Sequence, residues 1–325
     1  MNPSSTPRTL PQAAILTLAL LVLSPLAPAQ QRGDRPSPRT QPAPAFDTGA
    51  DARAEIAAAL VKAKRDNQRV LLMFGANWCG WSRKLDTLFK ENREIARTLL
   101  YEYQLVKVDV GRRDNNMDIA DRYEANVENA GIPFLSVLDA DGNVLVAQET
   151  GELEQGDHHD PAKVQDFLQM WKAEPLDARK VFEQARAQAA KQHKRLLLHL
   201  GVPSCKWCRR LDDFLQRKDI ADLVARDFLP VKIDLRRMTR ADEVAKRFRQ
   251  TDSGNPWFAI VDVKGHVLAT SVGPKGNVGF PVEPYEIAHF MDVFRKTARH
   301  MTTDDLRRIE QALEDSAARI KAGRE

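Results

Sequence analysis

Cysteine is scarce in this sequence, with three in 325 residues. That excludes a small disulfide-stapled scaffold, and an odd count leaves at least one thiol without a partner in the chain. Net charge is also small: 49 basic side chains stand against 45 acidic ones, a formal balance of +4. A nucleic-acid partner held by a basic face is not expected from that balance. Long apolar runs are few. The best candidate, Ala13–Leu26, is interrupted by Pro25 and falls short of the ~20 residues of a membrane span. Glycine-rich phosphate loops and a G-x-S-x-G elbow are missing, and there is no second C-x-x-C to complete a zinc site. What remains, 43% apolar and 29% charged residues, is the composition of a folded globular chain. At roughly 150 residues per domain the length suggests two domains.

The apolar run follows a polar start carrying Arg8 and ends at Ala27-Pro28-Ala29, small residues at the positions a signal peptidase reads. Residues 1–29 are therefore expected to be a cleaved secretory signal, with an uncleaved N-terminal anchor as the alternative. A secreted or periplasmic location follows, with no stable membrane insertion after cleavage. Residues 30–46, rich in Pro, Gln and Arg, cannot bury apolar area and are expected to be a disordered tether.

The remainder repeats itself. Asp51–Phe89 overlies Asp177–Leu215 without a gap, and 14 of the 39 positions are identical. Among them are Arg69/Arg195, Gly75/Gly201, Cys79/Cys205, Trp81/Trp207 and Asp86/Asp212. Val106-Lys107-Val108-Asp109 then falls on Val231-Lys232-Ile233-Asp234, and Pro133 on Pro256. A period this long marks a duplicated domain, since solenoid repeats run ~20–50 residues. Domain boundaries at 47–174 and 175–300 are expected, with a final helix over 301–325. Each copy reads as an Asp-capped helix, a buried strand, a loop to the cysteine and a helix. A second strand, a helical stretch, an X-Pro and a hairpin follow, and a terminal helix closes the copy. This order predicts an α/β fold, each copy a small mixed sheet flanked by helices. The last helix opens at Thr302 with capping-box spacing to Asp305. Its apolar stripe (Leu306, Ile309, Leu313, Ile320) either packs on the second domain or binds a partner.

Cys205-Lys206-Trp207-Cys208 is a C-x-x-C between a buried strand and a helix. The first thiol falls at a helix N-terminus, where free N–H groups and the dipole favour an anion. Lys206, Arg209 and Arg210 add positive charge, so Cys205 is expected to ionise readily and to attack disulfides. Cys208, one turn on, is placed to resolve the mixed disulfide. In the first copy Ser82 stands where the resolving thiol would be. Cys79 there either forms a mixed disulfide that a substrate thiol resolves, or belongs to a site kept for binding.

The chain resembles two tandem thioredoxin-like domains over about residues 51–172 and 177–299. The shared marks are strand, loop, C-x-x-C or C-x-x-S, helix, and a later X-Pro before a strand. The resemblance implies cis bonds at Ile132-Pro133 and Asn255-Pro256, facing the cysteines, with Ile132 and Asn255 pairing with substrate backbone. It also marks the position six residues before the first cysteine, where the family often has a buried acid that assists proton removal. Those positions hold Met73 and His199. Met73 cannot take a proton; His199 is either the second domain's base or a hydrogen-bonded core histidine. A tryptophan replaces the family's usual proline in both motifs. Trp78, Trp81 and Trp207 either shield the thiols and contact substrate or pack in the core.

The expectation is a thiol–disulfide oxidoreductase or isomerase acting on protein thiols and disulfides outside the cytoplasm, with a redox partner protein and no cofactor. The alternative is a non-catalytic binding or chaperone module with a structural Cys205–Cys208 disulfide. Asp157-His158-His159-Asp160 has metal-ligand residue types but no ligand spacing, and no metal site is expected there.

Overall fold

Two four-stranded mixed sheets carry the chain. The structure is a computed structural model, and it describes residues 44–250 and 253–324. The expected signal and all of the tether up to residue 43 lie outside the described residues.

The first lobe runs α1 (Ala52–Asp66), β1 (Arg69–Gly75), α2 (Gly80–Glu91), α3 (Arg93–Glu102), β2 (Tyr103–Asp109) and α4 (Met117–Arg122). It continues through β3 (Phe134–Leu138), β4 (Val144–Glu149), a small hairpin of β5 (Glu154–Gln155) and β6 (His158–His159), and α5 (Pro161–Trp171). The second lobe repeats the order: α6 (Ala178–Lys191), β7 (Arg195–Gly201), α7 (Lys206–Gln216), α8 (Lys218–Val224), β8 (Phe228–Asp234) and α9 (Ala241–Phe248). Then come β9 (Trp257–Val261), β10 (Val267–Thr270), the short β11 (Val272–Gly273) and β12 (Gly276–Asn277), α10 (Pro284–Thr297) and α11 (Thr303–Lys321).

The sheets have the same topology, β2-β1-β3-β4 and β8-β7-β9-β10. In each, the first two strands in sequence are parallel and the third is antiparallel to the first. β1 and β7 are therefore central and buried on both faces, which explains the unbroken apolar run of β1 and the run of β7 that His199 alone interrupts. Helices cover both faces. In the second lobe Phe182, Val244 and Phe248 of α6 and α9 pack on one side. Leu211, Phe214, Phe290 and Phe294 of α7 and α10 pack on the other.

The Asp caps are present: Asp51 accepts from the Ala54 N–H at 3.1 Å, and Asp177 from Arg179 and Lys180. Thr302 and Asp305 form the reciprocal capping box. Ile309 and Leu313 of α11 are buried in the second lobe's core, so the terminal helix packs on that lobe. One expectation is corrected at its edge. Ala45 and Phe46, the last residues of the supposed tether, are buried against Leu71 and Leu85. Asn77 pins them: its side chain accepts from the Phe46 N–H at 2.9 Å and donates to the Phe46 carbonyl at 2.8 Å. A fully buried Phe contributes ~1.5–3 kcal/mol, enough to order a short polar stretch beside it.

Candidate active site

In the second lobe β7 ends at Gly201, and a short loop delivers Cys205 as the N-cap of α7. Its sulfur accepts the Cys208 N–H at 3.1 Å, one of the donors a helix start leaves unpaired. The same sulfur is 3.6 Å from the Asn255 carbonyl, and the Asn255-Pro256 bond is cis. The helical period then carries Cys208, Leu211, Asp212 and Leu215 onto the inward face of α7. Cys208 is 1% exposed. Burial pushes its thiol well above the ordinary cysteine range, and its hydrogen bond with Cys205 adds to the effect. Cys205 remains partly exposed, and both are free thiols.

His199 lies on β7, facing Cys208. A Cβ at Gly201 would sit 3.1 Å from both Cys208 Sγ and His199 Nε2, so the missing methyl leaves a space that thiol and imidazole both border. His199 is buried, its Nδ1 is 2.9 Å from Asp212 Oδ1, and its Nε2 has no partner among the described residues. With Nδ1 carrying the proton toward a carboxylate, Nε2 presents a lone pair. One ring nitrogen is thus paired and the other is without a partner among the described residues.

Asp212 was not singled out from sequence as a site residue. Burial alone would push its carboxyl up; the His199 hydrogen bond, neighbouring positive charge and Lys232 more than reverse this and hold it at about 2. Lys232, in register with His199 on the adjacent parallel strand, places Nζ 2.5 Å from Asp212 Oδ2. Two signals in the sequence pointed to it: the spacing of four from Cys208, and the identity with Asp86.

The first lobe keeps the frame with different residues in it. Cys79 stands at the N-cap position of α2 without a side-chain capping bond and donates its thiol hydrogen to the Ile132 carbonyl at 3.3 Å, and Ile132-Pro133 is cis. Asp86 and Lys107 pair at 2.9 Å, as Asp212 and Lys232 do. Met73 occupies the place of His199 and is wholly buried. Ser82 is also wholly buried, and its hydroxyl has no partner among the described residues. Phe46 fills the space above it: a Cβ at Gly75 would meet Phe46 Cζ at 2.4 Å and Ser82 Oγ at 2.8 Å. Cys79 itself is buried, unlike Cys205.

The tryptophans divide. Trp207 is 41% exposed beside Cys205, with the Arg210 guanidinium 4.7 Å above its ring. In the first lobe Trp78 is the exposed ring, at 52%, and its indole N–H donates to the Gly111 carbonyl. Trp81 is half-buried, edge-on to His159 with ring centroids 5.3 Å apart. His159 is therefore turned inward, where burial, with Lys84 and His158 nearby, depresses it to about 4. Asp160 caps α5 through the Ala162 N–H. Asp157 and His158 pair with each other at 3.3 Å, apart from the contacts of His159 and Asp160. Among the described residues no cluster of three or more His, Cys, Asp or Glu could hold a metal ion, and no helix is long and apolar enough to cross a membrane.

A strand–loop–Cys–helix site facing a cis-proline, twice on mixed α/β sheets, defines a thiol–disulfide oxidoreductase type of fold. Comparison with known proteins agrees. A family model described as "Thioredoxin-like" matches residues 51–140. A DsbH-type thioredoxin model, described as "Protein of unknown function, DUF255", matches residues 160–319. The chain belongs to the thioredoxin-like superfamily. A disulphide isomerase from Xylella fastidiosa Temecula1 is 32% identical over 38% of this chain and 94% of that one, with a TM-score of 0.36. A DsbH oxidoreductase is 19% identical over 35% of this chain and 78% of that one, TM-score 0.26. The zinc-bound form of human ERp44 is 15% identical over 82% and 64%, TM-score 0.25. Spermatogenesis-associated protein 20 of Homo sapiens is 32% identical over 85 residues, which are 26% of this chain and only 11% of that protein.

Proposed function

We propose that this protein is a thiol–disulfide oxidoreductase acting on protein thiols and disulfides, with the second lobe as its catalytic half. The observation that carries the reading is the unpartnered Nε2 of His199 opposite the buried Cys208, with Cys205 half-exposed at the helix start. In the reducing direction Cys205 attacks a substrate disulfide as thiolate, a mixed disulfide forms and one substrate thiolate leaves. Cys208 gives its proton to His199 Nε2, and its sulfur attacks Cys205 Sγ. The second substrate thiolate departs, the Cys205–Cys208 disulfide closes, and the proton leaves His199 for solvent or product. Two electrons have passed from the enzyme dithiol to the substrate disulfide. The oxidising direction is the reverse, with protonated His199 supplying the proton that Cys208 needs as leaving group.

Trp207 and the backbone at Asn255 supply the apolar and polar sides of a site for an extended peptide beside Cys205; Trp81, Ile132 and Pro133 occupy the corresponding place in the first lobe. That lobe lacks a resolving thiol and a base, and this favours a second role there: Cys79 holds a partner by a mixed disulfide that only an incoming thiol releases. The apolar run Ala13–Leu26 followed by Ala27-Pro28-Ala29 supports an extracytoplasmic setting, where disulfide chemistry operates.

A glutathione redox titration of the folded chain tests the reading, with Cys205→Ser and Cys79→Ser as controls. A catalytic Cys205–Cys208 pair equilibrates above about −300 mV, whereas a structural clip lies below that value and resists the glutathione pool. The second result would turn the protein into a binding module.

A further inference from the structure

The first lobe reaches into the second lobe's site. At the end of α1, Asp66 Oδ1 is 3.2 Å from Lys232 Nζ. Lys232 in turn holds Asp212, whose other oxygen accepts from His199 Nδ1. The contacts thus form one line across the interface, Asp66, Lys232, Asp212 and His199, and His199 Nε2 borders the same space as Cys208 Sγ. Asp66 is itself fixed. The Arg65 guanidinium pairs with both of its oxygens. From the second lobe, Arg237 donates to the carbonyls of Asp66 and Asn67 at 2.5 and 2.7 Å and to Glu102 at 2.9 Å. On the far side of the site the Tyr101 hydroxyl donates to Ser204 Oγ at 2.9 Å, next to Cys205. The matching pair in the first lobe, Asp86 and Lys107, is completed by Lys90 of its own lobe.

We propose that Asp66 is a positioning residue for the second lobe's resolving step: its carboxylate holds and balances Lys232, leaving Asp212 to orient His199 toward Cys208. This rests on the oxidoreductase reading above. The electrostatics follow from the order of the contacts. When Cys208 passes its proton to His199, an imidazolium forms one link nearer to Asp66 than the thiolate does. The ammonium of Lys232 opposes that imidazolium, and Asp66 cancels part of its charge. The groups facing His199 are Cys208 and Asp212 on α7 and Lys232 on β8, with Arg65 and Asp66 on α1 behind them; its partner on β9 is the uncharged Phe258. Burial works against the charge of Lys232, but Asp212 and Asp66 raise its proton affinity above the usual lysine range, so the cation is permanent. His199, Asp212, Lys232 and Arg65 line a cavity of 280 Å³ between the lobes.

The experiment uses the full chain with Cys79→Ser, so that every thiol read belongs to the second lobe. Cys205 is loaded as its mixed disulfide with thionitrobenzoate, and release of the coloured thiol reports the attack by Cys208. Asp66→Asn is expected to slow that release about tenfold at neutral pH, the equivalent of one pH unit, and to move its pH profile to the alkaline side. The earlier reaction of Cys205 with the reagent should slow less. Asp66→Glu should recover most of the loss. Release at the wild-type rate and with the wild-type profile in Asp66→Asn would overturn the proposal, as would failure of Asp66→Glu to rescue. Should the parent chain release nothing, the oxidoreductase reading falls instead. The fraction of Cys208 present as thiolate at neutral pH, read from the chemical shift of its Cβ, then still decides: Asp66→Asn must lower it, and an unmoved fraction refutes the assignment.

Discussion

Replacing Asp212 with asparagine is expected to cost about 2 kcal/mol of stability at neutral pH, and that cost should fade in acid. Asparagine keeps the shape and an acceptor oxygen, so the change removes mainly the charge. Asp212 is buried, with its carboxyl held at about 2 against an ordinary 3.8, because His199 and Lys232 outweigh the burial penalty. A depressed carboxyl stabilises the fold above its unfolded value and loses that stabilisation as pH falls through its folded value. The difference of nearly two units, at ~1.4 kcal/mol each, gives the figure of about 2 kcal/mol. Roughly half of it should disappear between about pH 5 and about pH 3, and the rest as pH falls on through 2. Urea unfolding of the wild-type and variant chains, followed by tryptophan fluorescence at about pH 7, 5 and 3, measures the gap directly. A gap that is absent at pH 7, or equally wide at all three values, would refute the claim that Asp212 is a charged, paired group in the folded protein. The same variant leaves His199 with a weaker acceptor, so resolution by Cys208 should slow as stability falls.

Three further outcomes are expected. In the reduced, folded chain Cys205 should alkylate fastest, Cys79 more slowly and Cys208 last, as read by peptide mass spectrometry over time; equal rates for Cys205 and Cys208 would contradict the burial of the second thiol. Phe46→Ala should cost roughly 3–5 kcal/mol, as truncation of a buried Phe does, visible as a lowered urea midpoint. An unchanged midpoint would mean that the segment before α1 does not belong to the core. His199→Leu should keep the fold and move the pH dependence of thiol exchange to the alkaline side, and an unaltered profile would leave His199 a packing residue only.

The repeat made the fold legible. Fourteen identities over one ungapped stretch fixed two copies of one order, and the apolar runs on β1 and β7 are long because both strands are central. Apolar spacing does not separate the short helices α3 and α8 from the helices before them. α3 starts where Asn92 breaks the helical run and recaps it through the Glu94 and Ile95 N–H groups, an arrangement set by side-chain hydrogen bonds and not by apolar spacing. Composition places Phe46 in the tether because it averages over a stretch, while burial is decided by one side chain and the bonds from Asn77. In the site, the cysteines and His199 stood out by residue type. Asp212 and Lys232 did not, since a charged residue on an amphipathic helix or strand is usually solvated; only pairing across α7 and β8 draws them inside. Asp66 lay further from view, because no spacing within one copy predicts which residue the other copy will present.

The clamp made by Arg237 has a consequence for how the two halves can vary. Its guanidinium is almost sealed from solvent and satisfied by Glu102 and the carbonyls that end α1. A sealed cation stripped of its acceptors costs several kcal/mol. The half of the protein without a resolving thiol is thus tied down at its own helix end by the half that has one. Duplication produced two copies, but neither is free to drift alone, and the copy with the poorer chemistry is still answerable for the richer one.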